Sequence, residues 1–486
     1  MRVNIATPKK ISTIYRNTFR PPNIAIYPIK EIVSYSRNTR GKPENEWTFI
    51  FLFDSERSFI FLMNTFMKNT NIILAAAALV AVNAAFAAGY QIVEQGAGNM
   101  GNAMAGATVN ANNDASAAFW NPSAAACTSL EVGGTRVDSV LSAVLPTLCV
   151  NDTGSTPTIL TSGSRHGSCG TNELVPNFYA MHRFTEDIYG TLSITAPYGL
   201  ESKYNTDWFG RIQGSRSYLY TTDFNPGFAY KVTDWLSIGG GVSAQFAYCS
   251  LSSAIPGFLV GSPSDMIIDY TGQSWSIGGN AGFTIKYAED GRFGFAWRGK
   301  VSHNLSGAEH LNDVARNDIT ADMYMPDTFT VGIYQRLRGS LREFAVMAEY
   351  AYTRWSVFEN VTIEGASSGT ITIPENWEDA SRVALGFHYY PEEIENLTIR
   401  IGAAYDESPV NGAKNRTSRI PCSDRIWASC GLGYKIGNIS FDLAYSYIFV
   451  IDSSMDRTEM APVPTTLRGD YYAHIHVLSA QIGIEF

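Results

Sequence analysis

The feature that most restricts this chain is strict alternation of apolar with small or polar residues, repeated in one stretch after another. In one stretch the apolar set is Trp275, Ile277, Gly279, Ala281, Phe283, Ile285 and Tyr287, against Ser274, Ser276, Gly278, Asn280, Gly282, Thr284 and Lys286. In another it is Ile439, Phe441, Leu443, Tyr445, Tyr447 and Phe449, against Ser440, Asp442, Ala444 and Ser446. The chain ends on Leu478, Ala480, Ile482, Ile484 and Phe486, against Ser479, Gln481, Gly483 and Glu485. A period of two is that of a β-strand. A soluble sandwich alternates in the same way. Aromatic residues recur near both ends of these apolar faces, as interfacial girdles of a membrane barrel do. Short turns near Thr185–Asp187, Thr233-Asp234, Ala288–Gly291, Arg338–Leu341, Pro391–Asn396 and Gly437-Asn438 take turns with long loops. That asymmetry also belongs to outer-membrane barrels. Strands are expected to begin near Leu130, Glu173, Ile188, Ser217, Trp235, Tyr270, Arg292, Asp322, Glu343, Trp377, Leu397, Cys422, Ile439 and Tyr472. The expected fold is therefore all-β: a fourteen-stranded antiparallel transmembrane β-barrel over residues 129–486. An even number lets the sheet close with both chain ends on one side. Closure removes edges and satisfies every backbone group in lipid.

The segment before the barrel has a different character. Residues 88–128, AGYQIVEQGAGNMGNAMAGATVNANNDASAAFWNPSAAACT, are mostly Gly, Ala, Asn and Ser. Small residues let backbone thread a narrow space, so the segment is expected to plug the barrel. A flexible linker is the competing reading. Asn121-Pro122 is expected to start a helical turn, Asn as N-cap and Pro first inside. Before it, residues 67–87 have the layout of a signal peptide. Lys68 is basic, Ile72–Val82 is apolar, and Ala85-Phe86-Ala87 is an A-x-A site for cleavage between Ala87 and Ala88. Residues 1–66 show no sustained period and are expected to come from an over-extended translation start.

Charge and cysteine content narrow the function. The whole chain has 36 basic and 45 acidic residues; residues 1–87 hold 11 and 5, which leaves 25 and 40, or a net −15. So acidic a protein is a poor nucleic-acid binder. The six cysteines follow no zinc-site spacing. Cys149 with Cys169, and Cys422 with Cys430, are close enough in sequence to pair, and free thiols are the alternative. HExxH, G-x-S-x-G and a phosphate loop are all missing from the sequence, so the chain does not read as an enzyme, and no cofactor or metal is expected. His474 and His476 share a face, but their parity points them outward.

The order of several segments resembles the FadL family of outer-membrane channels for long-chain fatty acids and, in a toluene-type branch, aromatic hydrocarbons. The resemblance is carried by AGYQI at Ala88, FWNPSAA at Phe119, APYGL at Ala196 and NPGFAYKVTDWLSIGGGVSAQF at Asn225. It continues through MPDTFTVGIYQRL at Met325, TRWSVF at Thr353, NWEDASRVALGFHYY at Asn376 and IRIGAAYDESPV at Ile399. RTSRIPCSDRIWASCGLGYK at Arg416, DLAYSYIF at Asp442 and VLSAQIGIEF at Val477 close it. It implies a fourteen-stranded barrel holding an N-terminal hatch that includes Gly89, Tyr90, Asn121 and Pro122. The family's Asn-Pro-Ala becomes Asn-Pro-Ser here through Ser123, and Cys422 stands where the family has a polar residue.

The resemblance implies passive uptake of an apolar solute, a monomer, an outer-membrane location amid lipid and lipopolysaccharide, and assembly by the barrel-assembly machinery. The long loop Ser250–Asp269 offers a landing site, because Ile255, Phe258, Leu259, Val260, Met266, Ile267 and Ile268 are too apolar for a solvated loop. The following loop, Asn304–Ala321, carries Ala308, Leu311 and Val314 at helical spacing. A fatty-acid carboxylate needs a basic partner, and strand parity turns Arg298, Lys300, Arg382 and Arg400 inward. Inward charges in barrels are otherwise structural partners of luminal acids. The family's third strand kinks and opens the wall beside the hatch; here it carries Gly190 and Pro197, and Pro197 has no N–H to give to a ladder. The rival readings are uptake of aromatic hydrocarbons by the same route, and a general porin. A porin shows large steady conductance steps in a planar bilayer, and a plugged channel little.

The leader reading makes a direct prediction. N-terminal sequencing of the protein recovered from outer membranes should begin at Ala88. Recovery of any residue before Met67 would overturn both the signal-peptide and the start-site readings.

Overall fold

The computed structural model describes residues 89–460 and 464–486. It also gives the backbone of four short strands, Arg2–Ile5, Glu31–Ser36, Trp47–Phe53 and Phe59–Thr65, which pair antiparallel in that order within a separate unit, Met1–Val82. The expected leader and its cleavage point, Ala87 and Ala88, lie outside the described residues.

The second unit is a closed antiparallel barrel of fourteen strands. In chain order they are β1 Thr135–Asp152, β2 Glu173–Arg183, β3 Ile188–Thr195 continued by Gly199–Lys203, β4 Arg216–Lys231 and β5 Leu236–Ile255. Next come β6 Met266–Ala288, β7 Gly291–Arg298 continued by Val301–Leu311, β8 Val314–Met325 continued by Thr328–Arg336, β9 Phe344–Thr353 and β10 Ala380–Tyr389. β11 Leu397–Asp406, β12 Arg425–Ile436, β13 Ile439–Val450 and β14 Thr465–Glu485 complete the wall. The seam pairs β14 with β1 from Glu485↔Arg136 to Gly469↔Asp152. Below it, the Phe486 and Thr135 N–H groups donate to each other's carbonyls at 2.9 and 3.1 Å.

Side-chain exposure follows the sequence alternation. On β6, Trp275 and Ile277 are 56% and 78% exposed, whereas Asn280 and Thr284 on the other parity are buried. The apolar face therefore points out of the barrel, where a soluble sandwich would bury it. Aromatic rings continue from strand to strand on that outer face, for example Tyr220 on Tyr248 at 5.5 Å and Phe246 on Trp275 at 5.4 Å.

Several strands run further than their apolar period. β14 begins at Thr465 rather than Tyr472, and β8 at Val314 rather than Asp322, because polar backbone outside a bilayer can pair as readily as apolar backbone inside it. The helix expected in Asn304–Ala321 is absent. That stretch is a β-hairpin pairing Val301↔Met325 through Leu311↔Val314, and left-handed Asn312 and Asp313 make its turn. Its apparent helical spacing arises from two facing strands joined by a tight turn. The expected loop Ser250–Asp269 shortens in the same way to Pro256–Asp265, with Ile255 and Met266 paired across it.

All six cysteines are free. Cys149 lies opposite exposed Tyr472 on the outer face, whereas Cys169 is buried inside with Leu148, Val150 and Tyr204, so neighbouring backbones present the two thiols to opposite sides. Cys430 is exposed on β12 and Cys422 is buried in the lumen, which separates that pair likewise.

The chain terminus generates a second prediction. Phe486 is exposed at the end of the outward set that includes Ile482. Phe486→Asp puts a second negative charge beside the terminal carboxylate on the lipid face. We expect a severalfold loss of folded, heat-modifiable protein in the outer membrane, read by gel shift and membrane yield. Wild-type yield and gel shift would show that this end is not needed for assembly.

Candidate functional site

Residues 89–130 lie almost wholly buried within the ring of strands. Short helical turns, Ala97–Met100, Ala107–Val109, Ala117–Trp120 and Pro122–Cys127, fold the segment back on itself. Asn121 caps the last turn as its sequence suggests: its side chain accepts the Ser123 N–H at 3.2 Å and Pro122 opens the turn. Ser123 ties the turn to the wall, its hydroxyl sitting 2.8 Å from that of Thr284. The wall supplies glycine where the two backbones nearly touch. A Cβ at Gly402 would stand 2.3 Å from the Asn102 carbonyl carbon, and one at Gly239 2.5 Å from the Ser123 nitrogen.

Orphan backbone groups of the segment are met by inward side chains of the strands. Glu349 accepts the Thr108 N–H at 2.9 Å, Gln481 that of Ala97 at 3.0 Å, and Asp138 that of Ala115 at 2.8 Å. The basic residues singled out by parity belong to the same framework. Arg298 pairs with Asp223 at 3.2 Å and donates to the Phe119 carbonyl at 2.8 Å. Arg382 pairs with Glu349 at 3.2 Å and Arg400 with Asp442 at 2.7 Å. These three are therefore committed to luminal acids and to the segment they hold. Lys300 is not inward: it is exposed at the break between the two pieces of β7, with its ammonium 5.0 Å from the Tyr324 ring. Gly299 and Pro326 interrupt the ladder there, and parity does not carry across an interruption. Asp327 fills the break by accepting the Lys300 N–H and the Trp297 indole.

The tip of the segment meets the broken third strand. β3 pairs with β2 only as far as Phe178↔Ile194, and beyond Pro197 only with β4. Among the described residues, Glu173–Asn177 of β2 thus have a ladder partner in β1 but none in β3. The freed groups turn inward: the Ile92 N–H donates to the Pro197 carbonyl and the Gly199 N–H to that of Tyr90, both at 2.8 Å. Asn177 bridges the two sides, accepting the Ala196 N–H at 3.2 Å and donating to the Glu94 carbonyl at 3.2 Å. Gly190, read as a second weak point, is instead paired on both sides, with His182 and Phe228; its missing Cβ leaves room for the Phe184 ring.

Around Tyr90 the chain leaves a small apolar cavity of about 40 Å³. Leu200, Leu219, Met323, Phe358, Val361 and Ile373 are among the residues that line it. The Tyr90 ring lies 4.6 Å from Trp355, 5.3 Å from Phe358 and 5.6 Å from Trp377. Gly89 is wedged against two of these rings: at φ +64° it has no space for a Cβ, which would sit 2.7 Å from Trp377 and 2.8 Å from Trp355. The Gly89 N–H points at Cys422 Sγ, 3.3 Å away, and Ser408 and Arg425 also donate to that sulfur. The Cys422 sulfur thus acts as an acceptor for three donors.

One cation in this cavity has no acid committed to it. Arg419 is buried, its Nη1 donates to the carbonyls of Arg216 and Ser252 and to the Ser217 hydroxyl, and its Nε has no partner. No ion pair to Arg419 occurs among the described residues. Ser202 and Tyr204, on and just after the continuation of β3, hold its loop by donating to the Arg419 and Ser418 carbonyls at 2.9 Å. Glu375 lines the same cavity; burial pushes its carboxyl up to about 8, so near pH 7 it adds no negative charge beside the guanidinium, and the other acid that acts on Arg419, Glu459, is ion-paired with Arg457 at 3.6 Å. Neither residue was expected from the sequence. Both lie on connections, where alternation assigns no face.

The apolar outer loop is divided. Phe258, Leu259 and Val260 form one exposed turn, Gly257–Val260, and Ile267 beside them is 40% exposed. Ile255 and Met266 are half-buried, and Ile268 faces inward and is buried, because β5 and β6 extend through them. The cluster available to an approaching ligand is therefore Phe258, Leu259, Val260 and Ile267.

Comparison with known proteins agrees with this architecture. Residues 77–486 match the family described as outer membrane protein transport protein (OMPP1/FadL/TodX). The chain is 28% identical over 313 residues to a long-chain fatty acid transport protein of Escherichia coli O6:H1, covering 56% of this chain and 69% of that protein. It is 28% identical over 420 residues to outer membrane protein P1 of Haemophilus influenzae, covering 77% and 89%. Among solved structures, a Pseudomonas aeruginosa FadL homologue superposes with a TM-score of 0.74 at 22% identity, covering 82% of this chain and 99% of that one. The Ralstonia pickettii toluene transporter TbuX gives 0.56 at 19%, covering 80% and 98%.

The charge framework generates a prediction about stability. Arg382→Met leaves the Glu349 carboxylate buried without its cation, which should cost about 3–5 kcal/mol. The double variant with Glu349→Gln should recover most of that loss. Urea unfolding in lipid vesicles, followed by tryptophan fluorescence, measures both. A single variant as stable as the double would show that the pair does not hold a buried charge.

Proposed function

The chain belongs to the OMPP1/FadL/TodX family of outer membrane transport proteins, and we propose that its cargo is a long-chain fatty acid carried with its carboxylate against Arg419. It is an outer-membrane channel for hydrophobic compounds. The observation that carries the fatty-acid reading is Arg419 itself: a buried guanidinium, free of a carboxylate, at the end of an apolar cavity. A chain of methylenes gains about 0.8 kcal/mol for each one it removes from water, and a charge-assisted bond fixes the head.

On this reading the ligand lands on Phe258, Leu259, Val260 and Ile267 at the outer end of the barrel. It moves to the cavity beside Tyr90, with the N-terminal segment as a hatch, and leaves sideways through the interrupted wall at Pro197. The concentration gradient supplies the free energy. The leader Met67–Ala87 is removed on export, the barrel-assembly machinery inserts the chain, and the mature protein acts as a monomer among outer-membrane lipid and lipopolysaccharide. It is a conduit and catalyses no reaction. Aromatic hydrocarbons fit the same rings, and neighbours in structure include toluene transporters, but a neutral hydrocarbon leaves Arg419 unanswered. The filled lumen speaks against a general porin.

Two measurements test the carboxylate assignment. Arg419→Met should weaken binding of a long-chain fatty acid about tenfold or more while barely changing the matching fatty alcohol, since a hydrogen bond to a charged group contributes about 1.5–3 kcal/mol. Equal losses for acid and alcohol would remove Arg419 from the reading. The pH response has a defined sign. Glu375 is protonated below about 8 and charged above it, and it and Glu459 are the acids whose charge reaches Arg419, with Arg457 between them. Fatty-acid affinity should therefore fall as pH rises through about 8, and Glu375→Gln should abolish the fall. A fall that persists in Glu375→Gln assigns the titration elsewhere.

A further inference from the structure

The outer wall of the cavity is not barrel. Between β9 and β10 the chain leaves the wall, makes a hairpin of Asn360–Glu364 and Ile371–Pro374, and returns. Val361 and Ile373 of this hairpin, and Phe358 just before it, complete the cavity lining. The hairpin is joined to the barrel sheet at only two pair positions, Thr320↔Glu364 and Ala321↔Ile363. By contrast, the strands it interrupts, β9 and β10, pair without break from Phe344↔Tyr389 to Thr353↔Ala380.

A buried carboxylate is the main tie of its tip. Glu309, 2% exposed on the β7–β8 hairpin, accepts the Ser367 N–H at 2.6 Å and the Ser367 hydroxyl at 2.8 Å. Asn317 donates to the same hydroxyl at 3.2 Å. Behind this tie, Ile363 is buried against Ile319, Leu251 and Tyr270. Its base is narrow: the N–H groups of Glu375 and Asn376 both donate to the Glu359 carbonyl, at 2.8 and 2.9 Å. Trp355 and Trp377, the rings that wedge Gly89, flank that base.

We propose that the hairpin Asn360–Pro374 is a lid, latched by Glu309 on Ser367, which must lift for a ligand to enter the cavity beside Tyr90. This rests on that cavity being the ligand site. Val361 and Ile373 line the cavity on the hairpin side, and the hairpin is joined to the sheet more weakly than the unbroken ladder of β9 and β10 behind it. Lifting the hairpin breaks two pair positions, the Glu309 and Asn317 bonds to Ser367, the Arg457 bond to the Pro374 carbonyl and the packing of Ile363 and Ala366, still less than the ten-position ladder that joins β9 to β10. The motion pivots at the Glu359–Asn376 neck, so it also shifts Trp355 and Trp377 and loosens their hold on Gly89. Entry of ligand and release of the segment's tip are thereby one event. Lids of this kind move without unfolding the body they cover.

The test fixes the lid in place. In Asn317→Cys/Ser367→Cys, a short thiol cross-linker such as dibromobimane joins tip to barrel, with the single-cysteine variants as controls for the native thiols. Two probes are followed in the full-length protein: a fluorescent long-chain fatty acid and a neutral fluorescent alkane of equal length. Cross-linking should cut entry of both by about tenfold or more relative to the treated controls. Unchanged entry of the alkane into fully cross-linked protein overturns the lid. Loss of the fatty acid alone, linked or not, would count against the carboxylate reading and, with alkane entry unaffected, against the lid as well. Glu309→Ala removes the latch without touching the cavity, and should raise entry and release rates of the alkane together, severalfold, with affinity little changed. Rates that stay at the wild-type value overturn the proposal too.

Discussion

Every assignment of inside and outside rests on one set of hydrogen bonds, those that join β14 to β1 along the seam from Glu485↔Arg136 to Gly469↔Asp152. In hydrocarbon an unpaired backbone group costs several kcal/mol, and a sheet can avoid that only by closing on itself. Closure fixes strand parity, since a slip of one residue would turn each face inside out. The ionic ring at the same end, Arg136 with Asp138 and Glu485, and Glu485 with Lys435, joins first strand to last and ties both to β12. The lumen that results is narrow, and the N-terminal segment suits it because Ala, Gly, Ser and Asn bring backbone within contact of wall glycines.

That filling brings a cost in buried charge, and the same residues meet it. A segment with few side chains presents many orphan N–H and C=O groups. The wall answers with carboxylates, and each carboxylate needs a cation in turn. Arg382 is spent in this way on Glu349 and Arg136 on Asp138, while Arg298 and Arg400 pair with other luminal acids and bond the segment directly. Strand parity fixes where they point and not what they are bonded to. A ligand needs a cation that the fold has not used, and Arg419 makes no ion pair among the described residues.

The limits of reading sequence here are physical. Wherever one face meets lipid, alternation is enforced and the strand is legible, as from Trp275 to Tyr287. Wherever backbone passes beyond the bilayer, nothing enforces it, and strands β8 and β14 start earlier than their apolar sets. Interruptions are half legible. Pro197 marks a break because it lacks an N–H, whereas Gly190, which lacks only a side chain, sits in an unbroken ladder. Lys300 was misplaced by counting parity across Gly299. The cavity was invisible for a related reason: Trp355, Glu375, Trp377 and Arg419 lie on connections, and only the fold brings them to Tyr90. Ile268 shows the converse, an apolar residue in an apparent loop that continuing strand pairing turns into the lumen.

The break in the wall and the tip of the filling segment form a single device. A gap in a membrane sheet would leave polar backbone facing lipid. Here the groups freed around Pro197 bond instead to Tyr90 and Ile92, and Asn177 and Gln95 bond to the Ala196 backbone. The opening is thus tolerable only while the segment's tip is seated. The tip in turn is held by the rings at the base of the outer hairpin. On the proposed route, lifting the hairpin frees the tip, a freed tip uncovers the gap, and an uncovered gap is costly until an apolar chain fills it. Ligand entry therefore stabilises the open wall more than the closed one, which is the differential interaction that any ligand-driven conformational change requires.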